Sequence, residues 1–299
     1  MWIVTVVGRY EWRETEEMKS SEVDAYLGRL GVARPARPSL DALRELHLRH
    51  LQTVPFENLS VHLGEAVVLD EKRLLDKVVG ARRGGFCYEL NGAFAALLDA
   101  LGFEVTLLAA RVHGPRGRLG IPYDHMALRV RTVDAGDWLA DVGFGAHSHY
   151  PLSWRERSGQ EDPGGSFRIA EAGPDAAGAR GGGGTADAAD LDLLKDGEPE
   201  YRLETRPRVL ADFVTGAWWH STSPESHFLR SLVCSRVTED GGRITLSGRR
   251  LKVTAANGAR EEHEYGEEED EAVLAVYRER FGIVLDRVPV MSGEADGTD

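Results

Sequence analysis

The stretch Arg83-Gly84-Gly85-Phe86-Cys87-Tyr88-Glu89-Leu90-Asn91 sets a cysteine where a tight glycine turn meets an apolar helix. Ala93, Phe94, Leu97, Leu98 and Leu101 follow at helical spacing, and Gly102 supplies a C-terminal stop. The first N–H groups of a helix have no partner within it, and they favour a thiolate over a thiol. The chain holds only two cysteines. Cys234, between Val233 and Ser235 in a strand-like run, reads as a small buried hydrophobe, which leaves Cys87 as the candidate nucleophile.

Working outward, the pattern before Cys87 is helical. Val23, Tyr26, Leu27 and Leu30 share one face, with Gly31 as a stop; Leu40, Leu43, Leu46 and His47 open a second helix that Pro55 ends. His47 and His50 lie on that helix and are expected to pack or hydrogen-bond locally. From Glu104 the period becomes two. Val105–Val112, His125–Arg131 and Trp138–Val142 read as strands of a small antiparallel sheet or barrel, with Asp134-Ala135-Gly136 as a turn. Later strand-like pieces fall at Leu232–Val237, Arg243–Ser247 and Arg250–Thr254, before a final helix from Glu271 to Phe281. The Gly/Ala/Asp-rich segment 171–190, extended to about 197, has too little apolar surface to offset its ordering entropy and is expected to be a flexible insertion.

Composition narrows the function. A chain of 299 residues with 42% hydrophobic content suits two or three packed units of a soluble protein. A net charge of −13 argues against nonspecific nucleic-acid binding. No apolar run is long enough to span a bilayer, so no membrane partner is expected. Two cysteines and no export signal imply a cytoplasmic setting; Met1–Val7 is too short and lacks a basic leader, so it reads as a strand or ordered tail. The run Glu261–Glu271 reads as a solvated loop leading into the last helix.

A cysteine nucleophile needs a base, and the base needs a partner that fixes its tautomer. His125 and Asp141, on consecutive expected strands, complete the order Cys, His, Asp. Direct pairing of the two would centre the hairpin on Val133, two residues before the turn signal, so a bulge or irregular turn is expected there. His147 and His149 have a spacing that could ligate a metal, but no further Cys/His cluster accompanies them, and no metal is expected.

At these residues the chain resembles the arylamine N-acetyltransferase family. Arg83–Cys87 is similar to its nucleophile motif, and Asp124-His125-Met126-Ala127-Leu128 and Asp141-Val142-Gly143-Phe144-Gly145 to its histidine and aspartate motifs. Pro55-Phe56-Glu57-Asn58-Leu59 and Ser221-Thr222-Ser223-Pro224-Glu225-Ser226-His227-Phe228 also agree, and the match runs in order from about Asp24 to about Leu285. The resemblance implies an α+β, multidomain fold with a cysteine-protease-like catalytic core. In it, 1–20 form an N-terminal extension, 21–103 a helical bundle, 104–207 an antiparallel β-barrel and 208–299 an α/β lid. The Gly-rich insertion and the first seventeen residues, with Met18 as an alternative start, fall outside the shared pattern.

The implied reaction is a two-step acetyl transfer from acetyl-CoA, through a thioester on Cys87, to an arylamine or arylhydrazine; no permanently bound cofactor is implied. His125 would take the Cys87 proton and Asp141 would orient the ring. The resemblance pairs Arg83 with Glu57 beside the nucleophile and assigns Thr222 to a CoA-contacting segment. The loop holding Ile121 and Pro122 would also face the cofactor. Phe56, Phe144 and Phe228 are candidates for a nonpolar acceptor slot, with ordinary core packing as the alternative for each. Three other readings stay open: an amide synthase of the same fold, a cysteine hydrolase, and a noncatalytic binder.

Overall fold

Glycine stops and apolar spacing shape the N-terminal half of the computed structural model, which describes residues 18–173 and 190–291. The expected strand or ordered tail at Met1–Val7 and the run Gly181–Gly184 lie outside the described residues. Helix α1 (Ser20–Leu30) buries Val23, Tyr26, Leu27 and Leu30 and ends at Gly31, whose φ of 68° suits glycine. Helix α2 (Leu40–Thr53) starts where the Ser39 hydroxyl accepts from the Ala42 N–H, and it stops short of Pro55. Then come strand β1 (Phe56–Glu57) and the short helices α3 (Leu59–Leu63) and α4 (Glu71–Leu75), all unforeseen in the sequence. Helix α5 (Cys87–Ala100) begins at the cysteine and buries Ala93, Phe94, Leu97 and Leu98.

The next eight strands form one antiparallel sheet: β2 (Glu104–Val112), β3 (His125–Thr132), β4 (Gly136–Ala140), β5 (Leu152–Ser153), β6 (Gln160–Asp162), β7 (Gly165–Glu171), β8 (Leu191–Lys195) and β9 (Glu198–Arg208). Their order is β5-β4-β3-β2-β9-β8-β7-β6. The sheet curls into a nearly closed barrel. Its two edges meet where the Gln160 amide accepts from Ser153 N–H (2.7 Å) and donates to the Ser153 carbonyl (3.2 Å). Alternate residues fill the interior, among them Leu108, Ala110, Leu139, Phe167, Ile169, Leu193 and Leu203.

Helices α6 (Val214–Thr222) and α7 (His227–Arg230) follow, then strands β10 (Val233–Val237), β11 (Arg243–Ser247), β12 (Arg250–Thr254) and β13 (Arg260–Glu264), and helix α8 (Asp270–Val276). Strand β1 pairs with β10 at Phe56↔Ser235 and Glu57↔Cys234, so this last sheet takes an edge strand from the N-terminal half. Among the described residues no helix is long and apolar enough to cross a membrane.

Three expectations need correction. The flexible insertion does not reach 197: Leu191 and Leu193 point into the barrel and hold β8 in the sheet. The acidic run is not all loop, because its first part is edge strand β13, where Glu264 pairs with Arg250 (2.6 Å) and Glu262 lies 3.9 Å from Lys252. No bulge separates β3 from β4. Pairing is regular from Leu128↔Ala140 to Thr132↔Gly136, which places Asp141 beyond the end of β4 and diagonal to His125, not opposite it.

Candidate active site

The glycine turn is built against β1. Phe56 bridges Gly85, and the Glu57 N–H donates to the Gly85 carbonyl at 2.9 Å. A Cβ on Gly84 would sit 1.8 Å from the Pro55 carbonyl oxygen, so only glycine fits. Arg83 grips the buried Glu57 carboxylate through Nε (2.9 Å) and Nη2 (3.3 Å). Glu57 also accepts from the N–H groups of Leu59 (2.7 Å) and Gly84 (3.2 Å). This pair ties turn to strand; losing Arg83 would leave the fully buried Glu57 carboxylate without its ion-pair partner, whereas Arg83 also reaches Glu65 through Nη1 (3.2 Å).

The turn delivers Cys87 as the first residue of α5, 4% exposed, beside His125 (2%) at the start of β3 and Asp141 (1%) just past β4. The Asp141 carboxylate accepts from four donors. On Oδ2 these are His125 Nε2 (2.7 Å) and the Tyr201 hydroxyl (3.0 Å); on Oδ1, Asn91 Nδ2 (2.9 Å) and the Gly143 N–H (3.0 Å). With Nε2 committed to Asp141, Nδ1 is the His125 nitrogen left for Cys87. Gly143 lets the Asp141 loop cross the start of α5: a Cβ there would lie 2.7 Å from Cys87 Cα.

The electrostatics follow from burial and these partners. Burial opposes charge on all three groups, but at His125 the Asp141 carboxylate, joined by the Cys87 sulfur, outweighs it and raises the imidazole to about 10. Asp141 is held below the usual carboxylate range against its own burial, by the His125 charge and hydrogen bond and by Asn91. Burial pushes the Cys87 thiol up, and His125 is the foremost influence in the other direction. Burial thus works against whatever the helix N-terminus contributes to a thiolate. The imidazolium beside Cys87, fixed by an ionised Asp141, is what favours one.

Two of these partners escaped the sequence reading. Asn91 lies four residues after Cys87, hence on the same helix face, and it also donates to the Met126 carbonyl (2.6 Å) and accepts from the Val142 N–H (3.0 Å). Tyr201 belongs to β9, where prolines and charges mask an alternation of buried Tyr201 and Leu203. The expectation for His47 also needs correction: its contacts are not local but reach Asp141 and His149.

The remaining candidates fall in separate places. Phe56 and Phe228 come together (ring centroids 6.1 Å apart) within the cluster that holds Phe86 and Cys87. Phe144 instead lies on the barrel side, edge-on to His125 at 5.0 Å and against Tyr201. The loop of Ile121 and Pro122 leads into Tyr123 and Asp124, whose carbonyls accept from the Tyr88 hydroxyl (2.5 and 3.1 Å). Helix α6 closes on this loop through His220, whose Nε2 donates to the Asp124 carbonyl (3.1 Å). Thr222 ends α6 as an exposed residue, its hydroxyl donating to the Trp218 carbonyl. His147 and His149 are buried, and among the described residues no group of three or more His, Cys, Asp or Glu could hold a metal ion.

A buried cysteine at a helix start, beside a histidine held by a carboxylate, defines a class of protein equipped for thiol chemistry. Known proteins make that specific. A model of the N-acetyltransferase family matches residues 39–290. The arylamine N-acetyltransferase of Escherichia coli (strain K12) is 32% identical over 262 residues, covering 87% of this chain and 88% of that protein. The solved arylamine N-acetyltransferase from Salmonella typhimurium superposes with a TM-score of 0.78 at 31% identity, covering 93% and 97% of the two chains. The Mycobacterium marinum enzyme, solved in complex with CoA, gives 0.73 at 31% identity over 87% and 92%. The chain belongs to the arylamine N-acetyltransferase family.

Proposed function

We propose that this protein transfers acetyl groups from acetyl-CoA to arylamines or arylhydrazines through a thioester on Cys87, with His125 and Asp141 completing the site. The observation that carries the reading is the buried Cys87–His125–Asp141 line in a chain of this family, one relative of which was solved with CoA. The Cys87 thiolate attacks the carbonyl carbon of acetyl-CoA. The new S–C bond forms, the old one breaks, and His125 gives its proton to the departing CoA sulfur. Neutral His125 then takes a proton from the amine nitrogen as that nitrogen attacks acetyl-Cys87, which restores the thiolate–imidazolium pair. Backbone N–H groups near Cys87 would stabilise the charge that the carbonyl oxygen gains.

Arylamines are uncharged at neutral pH and call for an apolar slot, which Phe56 and Phe228 from one side and Phe144 from the other would supply. Thr222, Ile121 and Pro122 are proposed to meet CoA, while Arg83 and Glu57 support the turn. A bundle of 21–103, a barrel of 104–207 and a lid of 208–299 around a cysteine-protease-like core frame the same reading. A CoA donor and two free cysteines fit a cytoplasmic setting.

Donor profiling tests the proposal. Acetyl-CoA with a simple arylamine should give the N-acetyl product and free CoA in equal amounts. Turnover confined to a long acyl chain on a carrier protein would make the chain an amide synthase. Amide cleavage without CoA would make it a hydrolase.

A further inference from the structure

The loop Asp141–His149 carries the acid of the site, the glycine that passes Cys87 and Phe144, and one imidazole closes it. His47, on α2 and fully buried, reaches both ends: Nδ1 lies 2.9 Å from the His149 carbonyl oxygen and Nε2 3.1 Å from the Asp141 backbone nitrogen. A carbonyl can only accept and an N–H can only donate, so Nδ1 carries the proton and Nε2 is a bare acceptor. Both bonds exist together only in the neutral Nδ1–H tautomer. Phe94 sets the ring edge-on at 6.2 Å, and Arg44, one turn earlier on α2, sits over the Tyr150 ring at 5.4 Å.

We infer that His47 is a positioning residue for the proposed reaction, a neutral clasp that holds Asp141 against His125 and opens when it is protonated. A second ring proton would point at the Asp141 N–H, exchanging a hydrogen bond for two opposed donors beside the carboxylate that orients the base. The charged and titratable groups around the ring are Asp141, His147 and His149 of the loop, Asp162 at the end of β6, and His50 on α2 itself. Burial dominates and lowers the pKa of His47, which keeps the clasp shut at neutral pH. The inference rests on the proposed function, but its deciding readouts, Cys87 alkylation and histidine NMR, do not depend on an acetyl donor.

The experiment measures the pH–rate profile of Cys87 alkylation by iodoacetamide in the full-length wild type, H47Q, H47N and H47L, with melting temperature and acetyl-transfer kcat alongside. Glutamine extends an amide to the Nε2 position and can accept from the Asp141 N–H; asparagine and leucine cannot. H47N and H47L should move the upper inflection of the profile down by about one unit, because His125 loses part of its hold on Asp141. Their kcat should fall about 10- to 100-fold through misplacement of the acid. H47Q should keep the wild-type inflection. A folded H47N with an unmoved inflection would reduce His47 to packing and overturn the proposal. Nitrogen-15 NMR of histidine-labelled wild type decides the case even if the variants do not fold: a proton on Nε2 of His47 at neutral pH contradicts the clasp. Absence of acetyl transfer by the wild type would count against the proposed function and leave the alkylation result to judge His47.

Discussion

Replacement of Cys87 by alanine should abolish acetyl transfer, with a fall on the order of 10^4- to 10^6-fold, the range seen when a nucleophile that works as a unit with its base is removed. The other cysteine cannot take its part. The second cysteine, Cys234, is fully buried in β10 opposite Glu57 and is pushed up by burial and by that carboxylate. The substitution removes one sulfur atom at the start of α5, and that helix is anchored elsewhere by Phe94, Leu97 and Leu98 in the bundle core. Near-ultraviolet circular dichroism should therefore match wild type while product formation, followed by chromatography, drops to background. Residual turnover above a few per cent would mean that the acetyl group travels without Cys87.

Asp141→Asn should cost about 10^3- to 10^4-fold in kcat, comparable to the loss that wrong-tautomer substitutions cause in other triads. The structure says why. Each Asp141 oxygen receives two donors, so an amide must turn its NH2 group toward one pair of them. Facing Asn91 and Gly143, it would confront an amide already committed to Met126 and Val142 and a fixed backbone N–H. Facing His125 and Tyr201, it finds groups that can adapt: the tyrosine can accept, and His125 can move its proton to Nδ1. That orientation should win, and it leaves His125 offering a proton to Cys87 where it must hold a positive charge. The carboxylate that does most to raise the imidazole is then gone, and burial, which lowers it, is opposed only by the Cys87 sulfur. The pH profile of Cys87 alkylation should lose its thiolate-like reactivity at neutral pH. An unchanged profile would show that Asp141 only packs against the ring.

Much of this site was legible because its parts are local. A glycine pair forces a turn, a run of apolar residues at helical spacing forces a helix, and the cysteine between them is placed by those two facts alone. His125 and Asp141 were readable as strand residues near a turn, and as motifs of a family. Their register was not. The tight loop between Thr132 and Gly136, with Gly136 at a φ of 80°, sets a diagonal approach where spacing alone suggests direct pairing through a bulge or irregular turn. Harder still were residues whose significance is entirely tertiary. Tyr201 arrives from 60 residues away on a strand disguised by Pro199, Pro207 and alternating charges. His47 reads as an ordinary helix histidine until Asp141, 94 residues later, folds onto it. Buried polar groups must be satisfied, but sequence does not say by whom. The electrostatics of Cys87 divide in the same way: the helix end is a local feature legible in sequence, whereas burial, which opposes it, is a property of the finished fold.

The central claim is that Cys87 carries the acetyl group, and intact-protein mass spectrometry after brief mixing with acetyl-CoA tests it most directly. The wild type should gain the mass of a single acetyl group, peptide mapping should place it on Cys87, and an arylamine added afterwards should remove it as the N-acetyl product. An unmodified wild type that nonetheless turns over acetyl-CoA with the amine, or an acetyl group on any other residue, would contradict the account.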